Sequence, residues 1–169
     1  MCQSITIRPT IPADAARVTT LLGRSYRALL ASDYPTTVLA AALPLMTQSR
    51  PRLLRCGTYF LSEDDTGRTL AVGGWTDSSP HGRAGRRGQG HIRHVATDPE
   101  HIGQGHARRL MTEVLRSAAA AGLTRLHCQS TLTAEPFYER LGFTRSGGIE
   151  IRLAPGVLFP AVQMCAQLD

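Results

Sequence analysis

Two glycines separate a strand-like run from a helical run in HVATDPEHIGQGHARRLM, residues 94–111. The start of a helix leaves about four backbone N–H groups without partners and carries roughly half a positive charge, so an anion placed there satisfies both. Gly103 and Gly105 have no side chains to block a ligand, and Arg108 and Arg109 add cationic groups in the first turn. The segment therefore predicts a phosphate or pyrophosphate site at a helix N-terminus.

Two common phosphate-binding motifs do not fit this segment. The dinucleotide fingerprint GxGxxG requires a third glycine where Arg108 stands. The Walker loop requires a lysine, and all 19 basic residues of the chain are arginine. The anion site must therefore belong to another class of phosphate-binding protein.

The helix after the glycines is the most regular element that the sequence predicts. Its apolar residues recur on one helical stripe that ends before Gly122. The stripe consists of Ala107, Leu110, Met111, Val114, Leu115 and Ala118.

A strand, two helices and a hairpin are predicted before this segment. Alternation in ITIR predicts the strand, and Pro12 and Asp14 mark the start of a helix. A shorter helix is expected from about Thr36, interrupted at Pro44 because a proline inside a helix loses a hydrogen bond and clashes with the preceding turn. TYFLSED and TLAVGGWTD flank a turn at residues 65–68 and predict an antiparallel hairpin.

The remaining elements complete a mixed pattern. A polar, glycine-rich and basic loop is predicted from Asp77 to Gly90, before the strand HIRHVAT. Further on, LTRLHCQST predicts a strand, AEPFYERLG a short helix ending at Gly142, and GIEIRL and PAVQMCAQL the closing strands. We therefore expect a single domain over residues 1–169, of the α+β class with a mixed α/β layer.

Composition and charge narrow the function classes. With 42% hydrophobic residues, 19% charged residues and no apolar run near the ~20 residues of a membrane span, the chain is expected to be soluble, without a membrane partner. MCQSITIRPT has no secretory signal, so we expect a cytoplasmic location. The four cysteines are far apart, which predicts reduced thiols and no metal site. The net charge of +6 is compatible with nucleic acid, a membrane surface or an anionic small molecule.

The glycine segment resembles the acyl-CoA signature (Q/R)xxGx(G/A) of the GNAT superfamily of N-acetyltransferases. Gly105 and Ala107 fill its last two specified positions, and Ile102 stands where the signature has Gln or Arg. About thirty residues later, AEPFYERLGF is similar to the family segment that ends in Tyr-x-x-x-Gly-Phe and begins here at Tyr138. The predicted order of strands and helices is also similar to that of the family, so the resemblance extends over nearly the whole chain.

This resemblance implies a fold and a cofactor. The fold is a central, mostly antiparallel sheet of about six to seven strands, flanked by about four helices and splayed between the fourth and fifth strands. The cofactor is acetyl-CoA, held in that gap by strand-like backbone contacts and by the helix start. The implied cofactor-binding residues are Val95, Ala96, Thr97, Ile102, Gly103, Gln104, Gly105, His106, Ala107, Arg108 and Thr131.

Catalytic roles are implied for Tyr138 and His94. An amine must be neutral to attack a thioester, and the leaving thiolate benefits from a proton, so a general base and a general acid are wanted. Tyr138 stands at the family's acid position, although a tyrosine there could instead only hydrogen-bond the sulfur or fill space. His94 is the candidate base, and regular alternation puts His91 on the opposite face of the strand. A water relay or an already neutral amine would remove the need for either histidine.

The acceptor is expected to bind among the first helices and the loops between strands. Tyr26, Asp33 and Tyr34 are the predicted substrate-binding residues, and Asp33 is suited to pair with an ammonium group. The acceptor stays open between a small amine, an amino acid, an antibiotic and a protein N-terminus. The resemblance also leads us to expect a homodimer.

Our leading hypothesis is acetyl transfer from acetyl-CoA to a primary amine by direct attack in a ternary complex. The first alternative is a non-catalytic acyl-CoA sensor, because Ile102 and Thr131, where the family often carries asparagine, depart from the usual site. The second is a basic nucleic-acid-binding module, suggested by RAGRRGQGHIRH. The sequence lacks the interleaved aromatic residues and the recognition-helix signature of such modules, so nucleic acid is not an expected partner.

Overall fold

Seven strands form one sheet in the order β1-β2-β3-β4-β5-β7-β6, in a computed structural model that describes residues 3–79 and 85–169. The strands are β1 (Thr6–Pro9), β2 (Tyr59–Glu63), β3 (Thr69–Thr76), β4 (Gln89–Thr97), β5 (Arg125–Ser130), β6 (Thr144–Ala154) and β7 (Val157–Gln167). All neighbours pair antiparallel except β4 and β5. The predicted mostly antiparallel sheet and the β2–β3 hairpin are confirmed.

Five α-helices cover the sheet within the described part of the chain. They are α1 (Ala15–Leu29), α2 (Thr36–Met46), α3 (Pro51–Arg55), α4 (His106–Ala120) and α5 (Glu135–Arg140). Short 3-10 turns at Pro12–Asp14 and Pro99–His101 precede α1 and α4. The sequence predicted about four helices and missed α3, because five residues are too few to show a helical period.

Two buried clusters lie on opposite faces of the sheet. On one face, α1, α2 and α3 contribute residues such as Leu22, Ala42 and Leu54. On the other face, α4 contributes Leu110 and Met111, both fully buried, as its apolar stripe predicts. The two faces are called the α1 face and the α4 face below.

The α2 helix runs through Pro44, so the predicted interruption is wrong. The proline lies in the last turn, where a single hydrogen bond is lost and the helix ends at Met46. The following Thr47 closes the helix by donating from its N–H (3.1 Å) and its hydroxyl (2.8 Å) to the Leu43 carbonyl.

β4 and β5 run parallel for only three residue pairs, Gln89–His91 against Arg125–His127. Gly90 permits this close approach, because a Cβ there would lie 2.6 Å from Leu123 Cδ1. Beyond His91 the described strands no longer pair, which confirms the predicted splay between the fourth and fifth strands.

The predicted loop from Asp77 to Gly90 is shorter than expected, because Gln89 and Gly90 already belong to β4. Residues 80–84 of that loop and Cys2 lie outside the described residues. The other cysteines, Cys56, Cys128 and Cys165, are free thiols as predicted. Among the described helices none is long and apolar enough to cross a membrane.

Candidate active site

The splay between β4 and β5 opens into a cavity of about 1160 Å³. Small-molecule sites commonly measure about 300–1,000 Å³, so this cavity can hold a large ligand or two ligands together. It is bordered by α1 and the end of α2, the second half of β4, the start of α4, and the segment from β5 to α5.

A β-bulge in β4 reshapes the wall of this cavity. The pairing of β3 with β4 shifts between Val72 and Gly74, opposite His94, whose φ is +39°. The Tyr59 hydroxyl donates a 2.8 Å hydrogen bond to the His94 carbonyl and holds the bulge. Because a bulge inserts a residue, it redirects the side chains around it.

The bulge brings His91 and His94 to the same face of the sheet, so the predicted alternation is wrong. Ile92 and Val95, also three residues apart, both contact the α4-face core. His94 instead borders Val18 and Leu22 on the α1 face.

His91 also lies away from the α4 face. Its ring stacks on His127 at 5.3 Å between centroids, and the neighbours of His127, Leu126 and Cys128, occupy the α4-face core. His127 is also held by Gln89, at 2.8 Å from Nε2 to Oε1. His94 lines the large cavity, whereas His91 does not.

The second half of β4 presents an edge without a strand partner. Ala96 and Thr97 pair with β3 on one side, and with Val95 they line the cavity on the other, where no described strand follows. Their backbone groups on that edge can therefore hydrogen-bond an extended ligand as another strand would.

The glycine loop leads from the end of β4 into α4. Gly103 and Gly105 have φ values of 74° and 82°, a region that favours glycine, and Gly105 is the N-cap of α4. Both line the cavity together with Ala107 and Arg108. Ile102 lies at the cavity wall and is 53% exposed. The free N–H groups of the first α4 turn therefore meet the cavity.

Asp98 anchors the turn before this loop, a role that the Asp-Pro break alone did not predict. Its buried carboxylate accepts hydrogen bonds from the Glu100 N–H (3.0 Å) and Arg68 Nε (2.8 Å), and Arg24 lies at 3.3 Å. Burial opposes its ionisation, but these donors keep the pKa of Asp98 below its usual value. The turn that positions the loop is thus held by charge-assisted hydrogen bonds.

His106 locks the start of α4 through side-chain contacts. Its Nε2 lies 3.3 Å from Gln104 Oε1, and its Nδ1 lies 3.0 Å from the Arg109 guanidinium. Burial, followed by the charge of Arg109, lowers the pKa of His106. A neutral imidazole at pH 7 adds no positive charge for an anion. Gln104 is not among the residues that line the cavity.

Tyr138 projects from α5 into the buried end of the cavity. Its ring meets Phe143 edge-on at 5.4 Å between centroids, and the Cys128 thiol lies within hydrogen-bonding reach of its hydroxyl. Burial raises the pKa of Tyr138 well above 10 and that of Cys128 to about 12. The phenol therefore stays protonated, and any thiolate beside it would be strongly disfavoured.

Thr131 lines the cavity, and its hydroxyl accepts a 3.1 Å hydrogen bond from the Ala134 N–H before α5. The hydroxyl proton is still free to donate to a ligand, as a threonine has one donor and two acceptor sites.

His94 combines burial with two cationic neighbours. Burial, then Arg93, then Arg50 lower its pKa to about 4. The imidazole is therefore neutral at pH 7 and able to accept a proton, although weakly. Arg50 and Arg93 also line the cavity, and sequence reasoning missed both because they meet only in the folded chain.

Of the three predicted substrate-binding residues, only Tyr26 lines the cavity. The Tyr34 ring stacks on Phe159 at 4.5 Å between centroids, and its hydroxyl bonds the Pro160 carbonyl (2.7 Å) and the Leu132 N–H (2.8 Å). Asp33 is exposed outside the cavity and accepts a 2.7 Å hydrogen bond from Thr133. The structure does not bring Asp33 and Tyr34 into the site.

In the described ranges no aspartate or glutamate lines the cavity, and no cluster of potential metal ligands is found. The described lining does carry tyrosine, histidine, cysteine, serine and threonine side chains, in a field made positive by arginine.

A family model described as the acetyltransferase (GNAT) domain matches residues 61–159 of the chain. This range contains β3, β4 and β5, the glycine loop and Tyr138. No curated protein sequence matches the chain significantly.

Solved structures share the fold over almost the full length. A GCN5-related N-acetyltransferase from Rhodopseudomonas palustris superposes with a TM-score of 0.77 at 20% identity and covers 99% of both chains. The PaiA N-acetyltransferase of Thermoplasma acidophilum, in complex with coenzyme A, gives 0.72 at 11% identity, covering 97% of this chain and 99% of its own. A GNAT family acetyltransferase from Brucella melitensis, in complex with acetyl-CoA, gives 0.61 at 19% identity, covering 98% and 89%.

Proposed function

Since the chain belongs to the GNAT acetyltransferase family, we propose that it transfers the acetyl group of acetyl-CoA to a primary amine by direct attack in a ternary complex. The observation that carries this proposal is the continuous path from the α4 start, along the unpaired β4 edge, to Tyr138. A helix start suits a pyrophosphate, an open strand edge suits an extended amide-bearing arm, and a buried phenol suits a sulfur leaving group.

The residues present fit acetyl-CoA. The free N–H groups of the α4 start and Arg108 would hold the pyrophosphate, and the backbone of Val95 to Thr97 would hold the pantetheine arm. Thr131 would donate its hydroxyl proton to the same arm. Ile102 offers no polar group to this ligand, so the backbone must supply most of the phosphate binding.

When bound, acetyl-CoA supplies a thioester whose carbonyl carbon the amine attacks, forming the amide C–N bond as the C–S bond breaks. Tyr138 donates its hydroxyl hydrogen toward the leaving sulfur. A phenol with a raised pKa transfers its proton reluctantly, but the same burial raises the pKa of a neighbouring thiol, as Cys128 shows. The two pKa values move together, which keeps the donation effective.

His94 is proposed to receive the proton that the amine loses. Its neutral imidazole lines the cavity on the α1 face, where the acceptor would enter beside Tyr26. Its low pKa makes it a weak base, so a water molecule between amine and imidazole could share this task.

The test is calorimetric titration with acetyl-CoA, followed by an assay of free CoA thiol with a panel of amines. We expect binding together with amine-dependent thiol release. Failure to bind millimolar acetyl-CoA would refute the proposal. Binding without turnover of any amine would favour the acyl-CoA sensor.

A pair of glycine variants localises the binding. Gly103 and Gly67 both have positive φ, 74° and 83°, and a Cβ would meet nothing within 4 Å at either position. The backbone strain of an alanine is therefore comparable at both sites. Gly103→Ala should weaken acetyl-CoA binding, whereas Gly67→Ala, in the β2–β3 turn, should leave it unchanged. Equal affinities in the two variants would place the ligand elsewhere.

A further inference from the structure

Two arginines stand beside His94 without a counter-charge. Arg93 precedes His94 on β4, and Arg50 immediately precedes α3; both line the large cavity. Arg50 and His94 also border a second, small cavity beside Tyr59, and Arg93 is the chain neighbour of His94, so the three residues form one local group. Arg50 and Arg93 are called the arginine pair below.

Neither arginine forms an ion pair with any residue in the described ranges. The guanidinium of half-buried Arg93 donates one 3.2 Å hydrogen bond, to the neutral hydroxyl of Thr76. Burial and then the charge of Arg50 lower the pKa of Arg93. By contrast, six other arginines each contact a carboxylate; they are Arg8, Arg17, Arg24, Arg68, Arg116 and Arg145.

The cavity itself offers this pair no compensation, since none of its described lining residues is acidic. A partly buried guanidinium beside a second cation is costly unless an anion joins it. Arg93 is half-buried and Arg50 is exposed at the cavity, so an anionic ligand that enters here would meet two cations and no described acid.

This ligand is not the phosphate part of the cofactor. Arg93 and Thr97 pair with Gly74 and Ala71, three residues apart on β3, so they lie about 10 Å apart at ~3.3 Å per residue, and the proposed phosphate-binding loop begins beyond Thr97. Arg50 comes from the α1 face, where Tyr26 borders the same cavity. The arginine pair thus lies on the side where the acceptor would enter.

Resting on the proposed function, we propose that the acceptor is an amino carboxylate, an amine that also carries a carboxylate, and that Arg50 and Arg93 bind this carboxylate. The planar guanidinium forks match a carboxylate in shape and charge. Bound there, the carboxylate would place the amine of a small amino acid near His94. It would also offset the two positive charges next to the imidazole and so increase its basicity. This reverses the sequence-based expectation that Asp33 pairs with an ammonium group.

Matched pairs of acceptors test this inference. Common α-amino acids and their α-carboxamides are compared at saturating acetyl-CoA by thiol release. A carboxamide leaves the amine less basic and more readily neutral, so amine reactivity alone favours the amide. We expect the carboxylate member to have a kcat/KM at least about tenfold higher. Equal or better turnover of the carboxamides would overturn the inference while leaving acetyl transfer intact.

Arginine variants locate the recognition. Arg50→Gln and Arg93→Gln should each raise the KM for the amino acid about tenfold or more and abolish the preference over the amide. Arg52→Gln, an exposed arginine two residues from Arg50 and outside the cavity, serves as the matched control and should change neither. A preference that survives both cavity variants would contradict the assignment.

A binding readout separates this inference from the proposed function. N-acetyl amino acids and N-acetyl amino amides are titrated into the CoA-loaded protein by calorimetry. The acid should bind more tightly in the wild type and lose that advantage in Arg93→Gln. If no amine is turned over, acetyl transfer fails, but this titration still decides whether the pair binds a carboxylate. Absence of binding by the acids would overturn the inference.

Discussion

At the scale of single residues, burial determines what Tyr138 can do. Its hydroxyl lies in a closed part of the cavity next to Cys128, and burial keeps it protonated. The resemblance of FYERLGF to the family segment pointed to this residue from sequence, and its acid role stays a prediction. Its neighbour Cys128 was not predictable as part of the site, because β5 brings it there through sheet pairing.

Replacing Tyr138 by Phe should lower kcat by about 10²–10⁴-fold and leave the affinity for acetyl-CoA nearly unchanged. The hydroxyl is needed as the sulfur departs, whereas the ring alone fills the space. Thiol release and calorimetry measure the two quantities. Tyr34→Phe removes a buried hydroxyl outside the cavity and should keep kcat, and a fully active Tyr138→Phe would exclude the acid role.

Ile102 is the residue at which the chain departs from the acyl-CoA signature. Ile102→Arg should tighten acetyl-CoA binding by up to about fivefold at low salt, because an exposed ion pair between the guanidinium and the phosphates contributes about 0.2–1 kcal/mol. Added salt should reduce this gain. Ile11→Arg is the matched control, since both isoleucines are 53% exposed and Ile11 lies outside the cavity. An equal gain in both variants would reflect net charge alone.

At the scale of elements, the β4 bulge is the feature that could not be predicted from the sequence. The hydrophobic pattern predicted the strand, and the resemblance predicted the gap beside it. The bulge depends on β3 across the sheet and on Tyr59, which binds the carbonyl of His94. Regular alternation therefore assigned His91 and His94 to opposite faces, and the folded strand places them on the same face.

Removing the hydroxyl that holds the bulge should loosen both fold and site. Tyr59→Phe leaves the His94 carbonyl without its donor and should cost about 1–3 kcal/mol of unfolding free energy, measured by urea denaturation. It should also raise the KM for acetyl-CoA, because the free edge of β4 is displaced. Tyr34→Phe likewise removes a hydroxyl bonded to a backbone carbonyl, so it should lose comparable stability while keeping its KM. An unchanged KM in Tyr59→Phe would show that the bulge does not contribute to cofactor binding.

At the scale of the whole molecule, the charges are segregated. All six arginines with described ion pairs lie outside the cavity, while the described cavity lining carries arginine without acid. The net charge of +6 alone did not choose between nucleic acid, a membrane and a small anion. The distribution of charge favours small anionic ligands, because the described cavity lining carries Arg50, Arg93 and Arg108 and no acidic residue. The sequence alone could not predict which polar residues line the cavity. Only the folded chain stacks Tyr34 on Phe159 and bonds Asp33 to Thr133, which places both outside the cavity. The single domain and the homodimer stay predictions.

The most direct test of acetyl transfer follows the acetyl group itself. The wild-type protein is mixed with acetyl-CoA labelled in the acetyl carbon, first alone and then with the amine panel, and the products are separated by mass spectrometry. We predict no label on the protein before amine is added, Cys128 included, and afterwards equal amounts of labelled amide and free CoA thiol. Label on the protein, or thiol release with labelled acetate and no amide, would contradict direct transfer to an amine.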